Sequence, residues 1–377
     1  MPLPYRKVGD KPTVNLYVCG VTPYEVGHMG HAFTFSAFDI LIRSLERQGM
    51  VVRYVQNITD IDDPLFERAR RDGVTWQEVA QLGIDSQLSD MRVLGLRRPD
   101  VMPRPSQEIP DILQANRRFR ELGVAYQSDA FYFSVRDYPS FGNLSRLSRR
   151  AMLAKLREQE LLGQAGPGKK RDLLDFELWR RSAPDEPSWP SEFGPGRPGW
   201  HIECSVMAAK YLDGMVDIHG GGSDLIFSHH EAERAQNDIL NGGKPVVKAW
   251  MHVGMVKYQG QKMSKSLGNL VRVSGVVEKF PAAALRLYLA NHHYREAWSF
   301  QMPRMNHFAR LIERAKRLLS EPSPEPPGSL LPAFDLALAD DLDTPRSVEL
   351  LEQAISQGRA EEVKAMLAVL VGEASLS

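Results

Sequence analysis

The stretch His219-Gly220-Gly221-Gly222-Ser223-Asp224, with His229-His230-Glu231-Ala232-Glu233 just beyond it, holds the residue types best suited to chemistry in this chain. Three consecutive glycines after the run Met215-Val216-Asp217-Ile218 predict a strand that ends where its backbone comes very close to something. His229 and Glu233 stand at i and i+4 of a predicted short helix, which puts both side chains on one face, within reach of a single ion. Taken alone, the segment also reads as a glycine turn followed by a solvated helix with a surface His–Glu pair. The chain has two cysteines, Cys19 and Cys204, too few for a disulfide framework. They serve either as buried packing or as chemistry.

Two further motifs carry charge chemistry. His28-Met29-Gly30-His31 falls where a first strand turns into a first helix. A helix start offers unpaired backbone N–H groups and a positive dipole, a natural seat for phosphate. Gly30 would let a nucleotide lie flat on the backbone, and His28 and His31 can donate to phosphate oxygens. Late in the chain, Lys262-Met263-Ser264-Lys265-Ser266 precedes Leu267-Gly268-Asn269. Two lysines three apart on a loop can clamp a polyphosphate and offset the charge that builds as pyrophosphate leaves.

The elements that must position these residues follow from periodicity. Thr13 to Val18 reads as a strand entering a core, stopped by Cys19-Gly20 and Thr22-Pro23. His28 to Gly49 reads as a helix, with Phe33, Phe38, Leu41, Ile42 and Leu45 near helical period and Gly49 as the stop. Val51 to Val55 is then a second strand. Strand, glycine turn, helix and strand make a βαβ unit, hence a parallel sheet with ligands at its carboxyl edge. Residues 64 to about 185 break the rhythm, with helices at 64–72 and 107–122 around a strand pattern from Ala130 to Val135. We expect a connective α+β insertion over the sheet edge, spanning about 85–190. The sheet resumes near Trp200, with strands at 215–219 and around 250–256. A domain spanning 1–300, a helical connection over 301–320 and a Pro-rich linker over 321–332 follow, and 333–377 read as two or three packed helices. The expected fold class is α/β, a Rossmann-like doubly wound parallel sheet with that insertion and a short C-terminal helical domain.

Bulk properties are those of an ordinary soluble globular chain. Its 377 residues carry 47 Lys+Arg against 47 Asp+Glu, so no global charge favours nucleic acid. Local basic runs, Arg146 to Arg150 and Lys169-Lys170-Arg171, are ordinarily solvated faces. No long apolar run and no signal-peptide core are present, which predicts a cytoplasmic protein without membrane association. We expect it to act as a monomer.

The first and last motifs together resemble the two signatures of class I aminoacyl-tRNA synthetases, and the finer match is to the cysteine-specific branch. Cys19-Gly20, Asn57-Ile58-Thr59-Asp60-Ile61-Asp62-Asp63, Gly199-Trp200-His201-Ile202-Glu203-Cys204-Ser205 and Asp217 through Leu225 all resemble that branch, over about Thr13 to Phe300. The resemblance implies one zinc ion held by Cys19, Cys204, His229 and Glu233, a donor set chemically suited to zinc. It implies a cysteine pocket at Cys19, Thr59, Trp200 and His229. ATP with Mg²⁺ would lie on Gly30, Gly221, Gly222, Asp224 and Lys265, with His28, His31, Lys262 and Lys265 as catalytic groups. The implied substrates are L-cysteine and ATP. Zinc would select cysteine over serine, because a thiolate binds it far better than a hydroxyl does.

Two relatives within that branch differ in the acceptor. One is the tRNA(Cys) ligase; the other is the mycothiol-pathway ligase, which joins cysteine to the amine of a glucosaminyl-inositol. Glu233 as fourth ligand, Arg98-Pro99-Asp100, Pro103-Arg104, His219 and Gly142-Asn143-Leu144-Ser145 resemble the synthetase. Thr22-Pro23-Tyr24, His28 to Ala32, Asp63 to Ala69 and Gly268 to Val271 resemble the small-molecule ligase. After Asp340 to Pro345 only residues 346–377 follow, where a synthetase would continue into a fuller anticodon-binding module. The metal and insertion motifs put tRNA(Cys) first and the amino sugar second. A non-catalytic ATP- or RNA-binding paralogue ranks third, against the intact Lys262–Ser266 loop.

Overall fold

The computed structural model describes residues 6–8, 11–24, 27–159, 169–263, 268–321 and 327–372. The chain opens with strands β1 (Arg6–Val8) and β2 (Lys11–Val18), helix α1 (Met29–Arg47) and strand β3 (Val51–Gln56). Val14, Leu16, Tyr17 and Val18 are all fully buried, as a central parallel strand covered on both faces requires. β3 runs parallel to β2 from Thr13↔Val51 to Val18↔Gln56, which is the expected βαβ unit. α1 ends two residues before Gly49, whose φ of +82° takes the chain out of the helix.

The inserted region contains α2 (Asp63–Asp72), α3 (Trp76–Val93), α4 (Ile109–Glu121), β4 (Ala125–Gln127), β5 (Phe131–Phe133), α5 (Arg149–Glu158), β6 (Phe176–Arg181) and β7 (Gly196–Pro198). These strands form an antiparallel sheet in the order β4-β5-β6-β7, with its own core of Phe119, Phe131, Phe133, Leu178 and Trp179. α3 escaped the periodicity reading, although its start is marked by the reciprocal Thr75/Glu78 cap.

Helix α6 (Trp200–Tyr211), strand β8 (Val216–Gly222), helix α7 (Glu231–Leu240) and strand β9 (Val247–Val253) return to the main sheet. Its parallel strands lie in the order β3-β2-β8-β9, with β1 antiparallel beside the start of β2. The order reverses between β2 and β8, and a ligand crevice is expected at their carboxyl ends.

Two expectations need correction here. β8 continues through all three glycines instead of stopping before them, because a Cβ on Gly220 would lie 2.1 Å from Phe38 Cζ; glycine lets α1 close onto the strand. The strand expected around 250–256 begins earlier, at Val247, and breaks at Gly254-Met255.

The remaining elements are β10 (Val256–Tyr258), β11 (Gln261–Lys262), α8 (Val273–Val277), α9 (Ala282–Ala290), β12 (Trp298–Phe300), α10 (Met305–Ser320), α11 (Leu331–Ala339), α12 (Thr344–Ser356) and α13 (Ala360–Leu370). The last three do not stand apart. Leu351, Val363 and Leu367 share one continuous apolar core with Phe38, Ile42 and Leu45 of α1. Buried Arg286 of α9 ties them together, bonding Asp39 of α1 and the Leu370 carbonyl of α13. Part of the Pro-rich stretch lies outside the described residues. Its end is anchored, since Arg359 donates to the carbonyls of Pro327 and Gly328. No helix of the described residues is long and apolar enough to cross a membrane.

Candidate active site

A cavity of about 460 Å³ lies at the carboxyl ends of β2 and β8. Cys19, Thr59, Trp200, Cys204 and His229 line it together with His28, Gly30, His31, Gly222, Asp224 and Lys262. Residues chosen from six separate sequence segments therefore face one space. Two of the expected residues do not line it. Gly221 turns to the other side of β8, where a Cβ would meet Leu225 and His230, and Glu233 sits fully buried behind Cys19. Lys265, with Ser264, Ser266 and Leu267, lies outside the described residues.

The metal-ligating groups come together from three elements. Cys19 follows β2, and its N–H donates to the Gly220 carbonyl at 2.8 Å, which fixes the loop against β8. Cys204 projects from the second turn of α6. His229 lies in the irregular turn just before α7 rather than inside a regular helix, yet its Nε2 stays 3.0 Å from Glu233 Oε1. Cys19 Sγ is 3.4 Å from the same oxygen. Cys19, Cys204, His229 and Glu233 are all buried, and their donor atoms lie within 4.8 Å of one another. Cys19, His219, His230 and Glu233 form a second such group that shares two members with the first. The set with two sulfurs is the softer and suits zinc better, and its Cys19, Cys204 and His229 also line the cavity.

Electrostatics supports a cation at this place. Burial pushes the Cys204 thiol up, but hydrogen bonding from Cys19 and His229 prevails and brings it down to about 6. Burial would lower His229, but Glu233 and Cys204 raise it to about 10. Glu233 is held well below the usual carboxylate range by His219 and His229, against its burial. Burial, Cys204 and Glu233 hold the Cys19 thiol well up, so the Cys204 thiolate and the Glu233 carboxylate are the groups that offer negative charge to a divalent ion in this dry site. Glu233 Oε2 fits the same reading: it lies 3.3 Å from His219 Nε2 without the alignment of a hydrogen bond.

Of the groups around this cluster, Trp200 was expected from the sequence and His201 was not. With Nε2 of His229 turned to Glu233, its Nδ1–H donates to His201 Nδ1 at 3.0 Å. Trp200 stacks on His229 with centroids 4.4 Å apart. His201 belongs to the Trp200–Cys204 segment already quoted for the resemblance, so its signal was present but unassigned. His230 and His252 form a neighbouring pair at 2.8 Å whose meeting no local pattern reveals.

At the nucleotide end, His28 caps α1: its Nδ1 accepts from the Gly30 N–H at 3.1 Å, leaving Nε2 to carry the ring proton. His31 stacks on it at 3.9 Å and is driven down to about 3 by burial and by His28, so it stays neutral. Glycine at position 30 also leaves room for this cap, since a Cβ there would lie 2.8 Å from the His28 ring. Lys262 lies on β11, and its carbonyl accepts from Asn269 at 3.1 Å.

Comparison with known proteins agrees with this geometry. The family model described as tRNA synthetases class I (C) catalytic domain matches residues 6–310. An L-cysteine:1D-myo-inositol 2-amino-2-deoxy-alpha-D-glucopyranoside ligase of Frankia alni is 42% identical over 358 residues, 94% of this chain and 86% of that protein. The ligase of the same name from Acidothermus cellulolyticus is 39% identical over 352 residues, covering 93% and 87%. Among solved structures, Mycobacterium tuberculosis methionyl-tRNA synthetase with methionyl-adenylate superposes with a TM-score of 0.67 at 15% identity, over 96% of this chain and 90% of that one. The LeuRS–tRNA–LeuAMS complex of Agrobacterium radiobacter K84 gives 0.72 at 13% identity, over 98% and 85%. At these identities the structures speak for the fold alone. With the family model spanning most of its length and such relatives covering nearly all of it, the chain belongs to the cysteine-activating branch of the class I aminoacyl-tRNA synthetase family, a family of ligases.

Proposed function

We propose that this protein is an ATP-dependent cysteine ligase that forms cysteinyl-adenylate and passes cysteine to the amine of a glucosaminyl-inositol. Cysteine activation rests on one observation: Cys19, Cys204 and His229 of the buried cluster face the same cavity as the His28–His31 helix start, with Glu233 behind them. The choice of acceptor rests on the reaction for which the relatives are named. It reverses the order that the sequence motifs suggested, in which tRNA(Cys) came first.

Cysteine enters with its side chain toward Cys19, Cys204 and His229 and its carboxylate toward α1. When bound, zinc supplies a soft contact for the substrate's sulfur that a serine hydroxyl matches poorly. Trp200 walls the pocket, and His201 holds the His229 ring in orientation. ATP, with Mg²⁺, lies along the start of α1, where neutral His31 and the Nε2–H of His28 donate to phosphate oxygens. Gly222 and Asp224 take the adenosine side. The substrate carboxylate attacks the α-phosphate, and Lys262 and Lys265 stabilise the departing pyrophosphate. Rate enhancement comes from positioning and preorganised charge. Such an enzyme works in the cytoplasm.

Cysteine-dependent ATP–pyrophosphate exchange, run beside serine, tests activation, and exchange with cysteine alone is expected. Adding glucosaminyl-inositol should then yield an amide with release of AMP. Cysteinyl-tRNA formed in place of that amide overturns the acceptor assignment.

A further inference from the structure

A second cavity, of about 90 Å³, lies between the inserted sheet and α6. Asp62 and Trp200 line both this space and the larger cavity, and so form the partition between them. Trp200 is the ring stacked on His229, and Asp62 accepts from Thr22, which lines the larger side. A molecule held in the small cavity thus meets the activated amino acid across these two side chains.

The small cavity's lining is acidic and aromatic. Several of its charges are already engaged: Asp63 by Arg180 and Arg197, and Asp175 by the Tyr126 hydroxyl and the N–H groups of Val135 and Asp172. Glu203 is different. It is 2% exposed, it lines the cavity, and its Oε2 has no hydrogen-bond partner. A buried carboxyl oxygen without a partner is costly unless a ligand supplies the bond. Glu177 lies on the same wall, with Arg180 Nε no nearer than 3.6 Å. Phe176, Phe227 and Trp200 contribute apolar faces. Carboxyl groups for hydroxyls, set among aromatic rings, suit a polyhydroxylated amine.

The geometry points to this cavity as the acceptor subsite, in which Glu203 and Glu177 read the hydroxyls of an amino sugar whose amine extends past Trp200 and Asp62 toward the larger cavity. The assignment rests on the proposed ligase reaction and adds the place where its second substrate binds. From there the neutral amine nitrogen forms a C–N bond to the carbonyl carbon of cysteinyl-adenylate. The bond from that carbon to the phosphate oxygen breaks, AMP leaves with the electron pair, and the nitrogen loses one proton to water.

The test uses the full-length, zinc-loaded enzyme with Glu203→Gln and Glu177→Gln, and measures two activities on each variant. Cysteine-dependent ATP–pyrophosphate exchange should stay within about twofold of wild type. KM for glucosaminyl-inositol in amide formation should rise at least about tenfold, since each variant replaces a carboxyl oxygen that bonds the acceptor. Unchanged acceptor KM in both variants, with amide formation intact in the wild type, overturns the subsite while leaving the ligase reading standing. A wild-type enzyme that exchanges pyrophosphate yet forms no amide overturns the ligase reading itself, and the subsite with it. Should Glu203→Gln also lose exchange through its neighbour Cys204, Glu177→Gln decides by the same criterion.

Discussion

Replacing Arg286 by Met should destabilise the protein by about 3 kcal/mol without touching the chemistry. Arg286 is 0% exposed and its Nη2 lies 2.5 Å from Asp39 Oδ2; it also donates to the Leu370 carbonyl at 3.0 Å. Breaking a buried ion pair by removing one partner costs about 3–5 kcal/mol. The lower end applies because Asp39 keeps Arg43 at 2.9 Å and the Arg97 N–H at 2.7 Å, and because methionine refills much of the volume. For a chain of this size that is a fall in Tm of about 6 °C, at about 2 °C per kcal/mol. The pH dependence supplies an internal check. Burial alone would raise Asp39, but Arg286, Arg43 and the Arg97 N–H prevail and lower it. A depressed carboxylate adds stability above its unfolded value of about 3.9, and that stability is lost as pH falls through the folded value. The gap between wild type and variant should therefore be widest at neutral pH and shrink below about pH 4. Calorimetry from pH 7 to pH 3 measures it, with pyrophosphate exchange at 25 °C as the activity control. A Tm change under about 2 °C, or a gap constant down to pH 3, refutes the claim that this pair clamps the C-terminal helices to α1.

Glu233→Gln should lower the zinc content of purified protein and narrow the preference for cysteine over serine in exchange; if both hold at wild-type levels, Glu233 is not a ligand. His201→Phe removes the acceptor of the His229 Nδ1–H and should weaken metal affinity about 10–100-fold in chelator competition, with far-UV circular dichroism unchanged. Gly220→Ala drives a methyl to within 2.1 Å of Phe38 Cζ and should cost about 1–3 kcal/mol in urea unfolding, whereas an unaltered midpoint means that α1 has room to shift.

Much of the candidate site was legible because its residues sit in short motifs with local physical signatures. The cap at His28, the i,i+4 relation of His229 and Glu233 and the βαβ pattern before Gly49 all depend on neighbours a few residues apart. The boundaries that failed were those where distant packing overrules local preference. β8 runs through three glycines because Phe38 of α1 presses on it, where a Cβ on Gly220 would lie 2.1 Å from the ring. The tail after the Pro-rich stretch read as a separate piece, since nothing near Leu351 or Leu367 announces that α1 is their partner.

The amino-acid sequence by itself determined which groups are available and which local shapes carry them: two thiols, a histidine with a carboxylate one helical turn away, a glycine-opened phosphate seat and a lysine loop. Only the tertiary structure decided that Cys19 and Cys204 meet, that His201 steadies His229, and that a partnerless Glu203 oxygen lies beside Trp200 in a second cavity. The physical reason is the parallel sheet. Its crossover connections bring the carboxyl ends of strands far apart in sequence to one edge, and that convergence depends on packing of the whole chain rather than on any stretch of it.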